Sequence, residues 1–189
     1  MKDGFIKVAA ASPMIKVADA SYNAGKVIEC MKKASDEGVK VLVFPELTLT
    51  GCSCYDLIGH SVILRGAEAA LERVIEASAG SDMLVIVGLP YAPRGGALYS
   101  VAAGAVFDGV GGLSVAAVIT DGELLGLVPR SETDGTLFAP ADDEGGEATV
   151  CGKFDAYFDT ELLFTSDVVP GLSVAVELGA DAEAIDSPA

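Results

Sequence analysis

Apolar residues from Phe5 to Ala11, broken only by Lys7 and bounded by Ser12-Pro13, predict a buried β-strand. Tyr22, Ala24, Val27, Ile28, Met31 and Ala34 then recur at helical spacing, while Lys26, Glu29, Lys32, Lys33 and Asp36 occupy the opposite side. An amphipathic helix is therefore expected, with Ser21 as its N-cap and Gly38 at its end. Val39 to Phe44 reads as a second buried strand stopped by Pro45. A second helix is expected from about Leu64 to Ala79, with Ala67, Leu71, Val74 and Ile75 inward, and a third strand from Met83 to Leu89. Strands and helices that alternate through short connections predict a sheet covered by crossover helices, an α/β fold.

Beyond Pro93 the helical spacing disappears. Leu98 to Phe107, Leu113 to Thr120 and Leu124 to Val128 are apolar runs joined by Gly-rich or Asp121-Gly122 turns, the pattern of an antiparallel meander. Leu98-Tyr-Ser-Val-Ala-Ala and Leu113-Ser-Val-Ala-Ala nearly repeat each other, with no third copy to make an array. Residues 131–153 hold six acids, four glycines and no base before Lys153, and are expected as a solvated loop. Leu172 to Leu178 reads as a last strand. The resulting division is one domain over 1–178 and a polar tail over 179–189.

Composition narrows the function classes. A hydrophobic content of 51% with mean hydropathy +0.46 over 189 residues is that of a folding chain with a real core. The net charge of −16 argues against nucleic acid and anionic membrane surfaces as partners. It is unevenly spread: residues 1–130 sum to −3 and residues 131–189 to −13. Gly95 to Thr120 carries only Asp108 as a charge, but six glycines split it into runs too short for a membrane span. Asp3 and Lys7 interrupt any apolar leader segment. Four irregularly spaced cysteines, Cys30, Cys52, Cys54 and Cys151, do not form a disulfide framework and point to a reducing compartment, the cytoplasm by default.

The segment richest in chemistry is Val41-Leu-Val-Phe-Pro-Glu46-Leu-Thr-Leu-Thr-Gly51. A buried strand runs into a proline and at once presents a carboxylate, and the carboxyl ends of strands are where α/β sheets gather ligands. Glu46, partly desolvated by Phe44 and Leu47, suits a general base; a surface glutamate after a strand is the alternative. Other candidates are weaker. Cys52 and Cys54 form a C-x-C pair with no second pair and no histidine beside it, better read as small buried hydrophobes than as metal ligands. Cys151 lies in acidic surroundings that disfavour a thiolate. His60 is the sole histidine and has no motif partner, Gly109-Val-Gly-Gly lacks a third glycine, and Asp142-Asp143-Glu144 matches no closed cation loop. No cofactor or metal is implied.

The chain resembles the glutamine-hydrolysing amidotransferase domain of NAD synthetase, within the nitrilase, or carbon–nitrogen hydrolase, superfamily. The matching pieces, in family order, include Phe5-Ile-Lys-Val-Ala-Ala-Ala, Tyr22-Asn23, Gly38 through Gly51, Cys54-Tyr-Asp56-Leu, Met83 through Pro90, Asp121-Gly-Glu-Leu-Leu-Gly-Leu-Val-Pro129 and Phe158-Asp-Thr-Glu-Leu-Leu-Phe164. The resemblance implies a nitrilase-like α-β-β-α sandwich, here truncated on its C-terminal side, and sheet-to-sheet pairing into homo-oligomers. It also implies a Glu–Lys–Cys triad acting on a small-molecule amide, glutamine. The thiolate attacks the amide, the glutamate shuttles protons, and the lysine stabilises the oxyanion. Glu46 falls at the family's glutamate. Arg130 stands where the lysine is expected, Gly179 where the cysteine nucleophile is expected, and of the residues that follow the nucleophile only Asp181 is kept. Loss of a covalent nucleophile costs on the order of a millionfold in turnover. Two functions from different classes follow: an amide-hydrolysing enzyme of the glutaminase type, or a non-catalytic relative that binds or pairs without turnover. The same geometry leads to the expectation that Glu46 is largely buried and ion-paired to Arg130. The sheet face opposite the helices is expected to be covered either by the part missing on the C-terminal side or by a partner, and dimerisation is expected.

Overall fold

The computed structural model of the chain describes residues 5–92, 112–133, 137–141 and 145–184. The expected strand Leu98 to Phe107, the turn at 109–111 and the acids Asp142 to Glu144 lie outside them.

The described chain is α/β, as expected. Strand β1 (Lys7–Ala10), helix α1 (Ala20–Asp36), β2 (Val39–Val43), α2 (Ser61–Ala77) and β3 (Leu84–Tyr91) follow one another, and β1, β2 and β3 pair in parallel. β4 (Leu113–Thr120) and β5 (Glu123–Pro129) add antiparallel through the Asp121-Gly122 turn, where both residues take positive φ, 45° and 78°, the backbone that a tight hairpin demands. β6 (Gly146–Val150) and β7 (Phe154–Phe158) complete a seven-stranded sheet of order β1-β2-β3-β4-β5-β7-β6. α1 and α2 pack on one face over a core that includes Val27, Met31, Leu42, Leu71, Ile75, Val87 and Leu127. No helix among the described residues is long and apolar enough to cross a membrane.

Several details depart from the sequence reading. Asp19, not Ser21, caps α1: its carboxylate accepts from the Tyr22 N–H at 3.0 Å. β1 is an edge strand instead of a buried one, with Val8 62% exposed. The acidic stretch expected as a solvated loop is anchored by buried Phe138 and Ala139, and from Gly146 it becomes strand β6. There Ala148 and Val150 point inward while Glu147 and Thr149 point out. The expected last strand shrinks to β9 (Ser173–Ala175), which pairs only with β8 (Leu163–Thr165) in a small second sheet.

That hairpin lies on the face away from the helices. Leu162, Phe164, Val174 and Val176 pack on Ile86, Ala116, Val118, Val128 and Leu178, so the chain itself covers part of the face that was expected to need outside cover. Gly126 permits the approach, because a Cβ there would lie 2.7 Å from Leu162 Cδ1. Toward β1 the covering ends, and Val43 remains 39% exposed.

Candidate active site

Glu46 follows β2 in a turn whose shape is set by a few local bonds. The Thr48 hydroxyl donates to the Pro45 carbonyl at 2.5 Å, and the Gly51 N–H donates to the Leu47 carbonyl at 2.7 Å. Leu47 takes φ 58°, unfavourable for a side-chain-bearing residue, and is held there by its burial against Cys54, Ile58 and Phe138. The turn presses on β3. A Cβ at Gly88 would lie 2.6 Å from the Leu47 nitrogen and 2.8 Å from the Glu46 Cα, so this position must lack a side chain for Glu46 to stand where it does.

Asn23 secures the same turn from the helix side. Its side chain is fully buried, accepts from the Lys16 N–H at 2.7 Å, and donates to the carbonyls of Lys16 at 2.8 Å and Leu49 at 3.0 Å. It thereby ties α1, the segment leading into α1, and the Glu46 turn into one body.

Arg130 follows β5 on the neighbouring hairpin. Its backbone N–H donates to the Ser114 carbonyl at 2.9 Å, which extends the β4–β5 ladder by one residue and aims the side chain toward Glu46. Nη1 lies 3.4 Å from Glu46 Oε1, and the same oxygen accepts from the Ser114 hydroxyl at 2.6 Å. Arg130 Nε donates to the Glu132 carbonyl at 2.7 Å. The pair is less buried than expected, with the Arg130 and Glu46 side chains 24% and 28% exposed. The rim of a cavity keeps water in reach of both. Replacing Glu46 by glutamine should therefore cost only about 1 kcal/mol, read from the urea midpoint, since the amide still accepts from Ser114 and a partly solvated pair contributes little.

Within the stretch expected as a polar tail, Gly179–Glu183 form a 3-10 turn directly beside Arg130. Asp181 in that turn is 1% exposed. It accepts from the Ser131 N–H at 3.2 Å, the Ser131 hydroxyl at 3.1 Å and the Glu132 N–H at 2.6 Å. The carboxylate fastens the 179–183 turn to the segment that carries Arg130.

Glu46, Arg130 and the turn containing Gly179 thus meet at one cavity of about 530 Å³, walled by Leu47, Leu137 and Phe138 and edged by Cys52, Glu132, Thr133 and Ala180. Cys52 is exposed there, which departs from the buried role expected of it. Cys54 is buried and hydrogen-bonded to the Thr50 carbonyl, and loss of hydration pushes its thiol pKa up, which suits the hydrophobic role expected of it. Cys151 packs against the main core in the β6–β7 turn and does not line the cavity, and His60 is exposed ahead of α2. Among the described residues no group of His, Cys, Asp or Glu is arranged to hold a metal. Ser114 and Gly88 were not singled out from the sequence. Ser114 is signalled only as a hydroxyl inside an apolar strand, and Gly88 only as a glycine in a buried run.

The carbon–nitrogen hydrolase family matches residues 7–125. The glutamine-dependent NAD(+) synthetase of Mycobacterium tuberculosis (strain CDC 1551 / Oshkosh) is 31% identical over 185 residues, covering 94% of this chain and 25% of that protein. The synthetase of Xylella fastidiosa (strain 9a5c) is 33% identical over 99 residues, 52% of this chain and 18% of its own. The chain spans about a quarter of the length of the mycobacterial relatives it matches. Among solved structures, a glutamine-dependent NAD(+) synthetase from Cytophaga hutchinsonii superposes with TM-score 0.69 at 16% identity, over 86% of this chain and 26% of that one. An amidase from Nesterenkonia sp. superposes with TM-score 0.54 at 14% identity, over 80% and 54%. These structures share its nitrilase-type fold. With the family matched over more than half of its residues, the chain belongs to the carbon–nitrogen hydrolase family.

Proposed function

We propose that this chain is a glutaminase-type amide-binding domain that, as it stands, holds the side-chain amide of glutamine without hydrolysing it. The observation that carries the reading is the pairing of a carboxylate acceptor, Glu46, with a guanidinium donor, Arg130, 3.4 Å apart on a cavity of about 530 Å³. A primary carboxamide is complementary to that pair, since its carbonyl oxygen accepts from the guanidinium and its N–H donates to the carboxylate. The relatives named glutamine-dependent NAD(+) synthetase support the choice of glutamine. Glycine at 179 supplies no nucleophile, and without one no acyl intermediate forms. The irregular spacing of the four cysteines supports a reducing, cytoplasmic setting. The uncovered strip around Val8 and Val43 supports association of copies.

A second reading, turnover through a substitute thiol, is favoured by one observation: Cys52 is exposed on the cavity that holds Glu46. Titration calorimetry with glutamine and a coupled assay of ammonia release separate the two. The expected result is saturable binding with release no greater than that of buffer, and a measurable gain in release when Arg130→Lys and Gly179→Cys are combined. Release by the native chain that Cys52→Ser abolishes would establish the second reading and end the first. Absence of any glutamine binding would end both.

A further inference from the structure

Gly179 has φ +55°, and a Cβ built on it would lie 2.8 Å from Cζ, 3.0 Å from Nε and 3.2 Å from Nη1 of Arg130. The guanidinium therefore fills the volume that the first side-chain atom at position 179 needs. A flexible arginine head could ordinarily swing aside, but this one is held from two sides. Nε is engaged by the Glu132 carbonyl at 2.7 Å and Nη1 by Glu46 at 3.4 Å. Glu132 is itself fastened through its N–H to Asp181, two residues past Gly179, at 2.6 Å. The glycine and the arginine are thus packed against each other inside one hydrogen-bonded loop.

We propose that Arg130 and Gly179 form one reciprocal steric unit. The forked head at 130 shuts out a side chain at 179, including the thiol that acyl transfer requires, and a side chain at 179 would in turn evict the fork from Glu46 and Glu132. Lysine differs at the decisive point, because its head is a single ammonium on a slender stem with no planar fork to occupy that volume. This deepens the functional reading above and rests on it: loss of turnover is an exchange at two coupled positions, and neither reverts alone. Gly179→Cys without Arg130→Lys displaces the group that would polarise the amide, and Arg130→Lys without Gly179→Cys adds no nucleophile.

A double-mutant cycle on stability tests this without relying on activity. Gly179→Ala is made in the native and in the Arg130→Lys background, and melting temperatures are compared by calorimetry. The left-handed backbone penalises alanine equally in both, so it cancels, leaving the steric contribution. The expected result is a fall in Tm at least about 4 °C larger in the native background, a shift that corresponds to one or two well-defined contacts in a chain of this size. A native-background variant that fails to fold while its Arg130→Lys counterpart folds supports the proposal equally. Equal falls, or failure to fold in both, overturn the proposal. In any Gly179→Ala chain that folds with Arg130 present, the Nε–H proton of Arg130 should lose its protection from exchange; retained protection also overturns it. Glutamine titration of the native chain keeps the two readings apart. Coupling without binding would remove the functional reading alone, and binding without coupling would remove the steric unit alone.

Discussion

Asp181→Ala is expected to lower stability by about 3 kcal/mol, because hydrogen bonds to a charged acceptor each contribute roughly 1.5–3 kcal/mol and part of that is returned when a buried charge is removed. The carboxylate is 1% exposed and takes bonds from Ser131 N–H, Ser131 Oγ and Glu132 N–H, so truncation leaves two backbone donors without their acceptor. At roughly 2–4 °C per kcal/mol for a chain of this length, the melting temperature should fall by about 6–12 °C. The damage should also reach the cavity, because the Glu132 carbonyl holds Arg130 Nε. Asp181→Asn is expected to fall between, since the amide keeps one acceptor oxygen but turns an NH₂ toward groups that also donate. A urea midpoint unchanged by Asp181→Ala would show that the 179–183 turn is held by something other than this carboxylate.

Asn23→Ala should have an effect of the same order, about 3 kcal/mol, for a different reason. Here no charge is involved, and the cost is that of leaving the Lys16 N–H and the buried Leu49 carbonyl without their partner, while the Lys16 carbonyl keeps only the Asp19 N–H at 3.3 Å. The chemistry of the amide makes a sharper test possible. Asn23→Asp preserves size and the acceptor for Lys16 N–H, yet it sets a second oxygen against two carbonyl oxygens and buries a charge. The isosteric aspartate is therefore expected to be worse than the truncation to alanine. Hydrogen exchange at the Lys16 amide should accelerate in both variants. If denaturant midpoints place the aspartate variant above the alanine one, the side-chain amide is not bonded to those carbonyls.

Both residues bear on Glu46 and Arg130 from outside the cavity, and the two differ in how far the sequence announces them. Asp181 stands out only through its place after Gly179 in the family pattern. Asn23 stands out only within the Tyr22-Asn23 match; it lies four residues before Val27 on the buried face of α1, and what the sequence does not show is that its amide meets the Leu49 carbonyl there. The strand-and-helix alternation, the amphipathic character of α1, the Asp121-Gly122 hairpin turn and the carboxylate after Pro45 are all legible along the chain. They are fixed by local rules: hydrophobic period, turn backbone and proline stops. Composition misleads where it outweighs alternation, as in β6, where acids and glycines mask the inward Ala148 and Val150.

What the sequence could not determine is which strands lie at an edge and which distant groups touch. A parallel strand buried on two faces and one at a sheet margin can carry the same apolar run, so β1 reads as interior until its neighbours are known. The same holds for the site. Ser114 lies 68 residues from Glu46, and Arg130 lies 84 residues from it. The need for glycine at 88 and 179 arises from close approaches to Leu47 and Arg130, which are separated from them along the chain. Local propensity determines each element and presents Glu46, whereas the packing of β3, β4 and β5 against the Glu46 turn decides what stands beside it, because contacts between distant segments follow from how layers stack and leave no period in the chain.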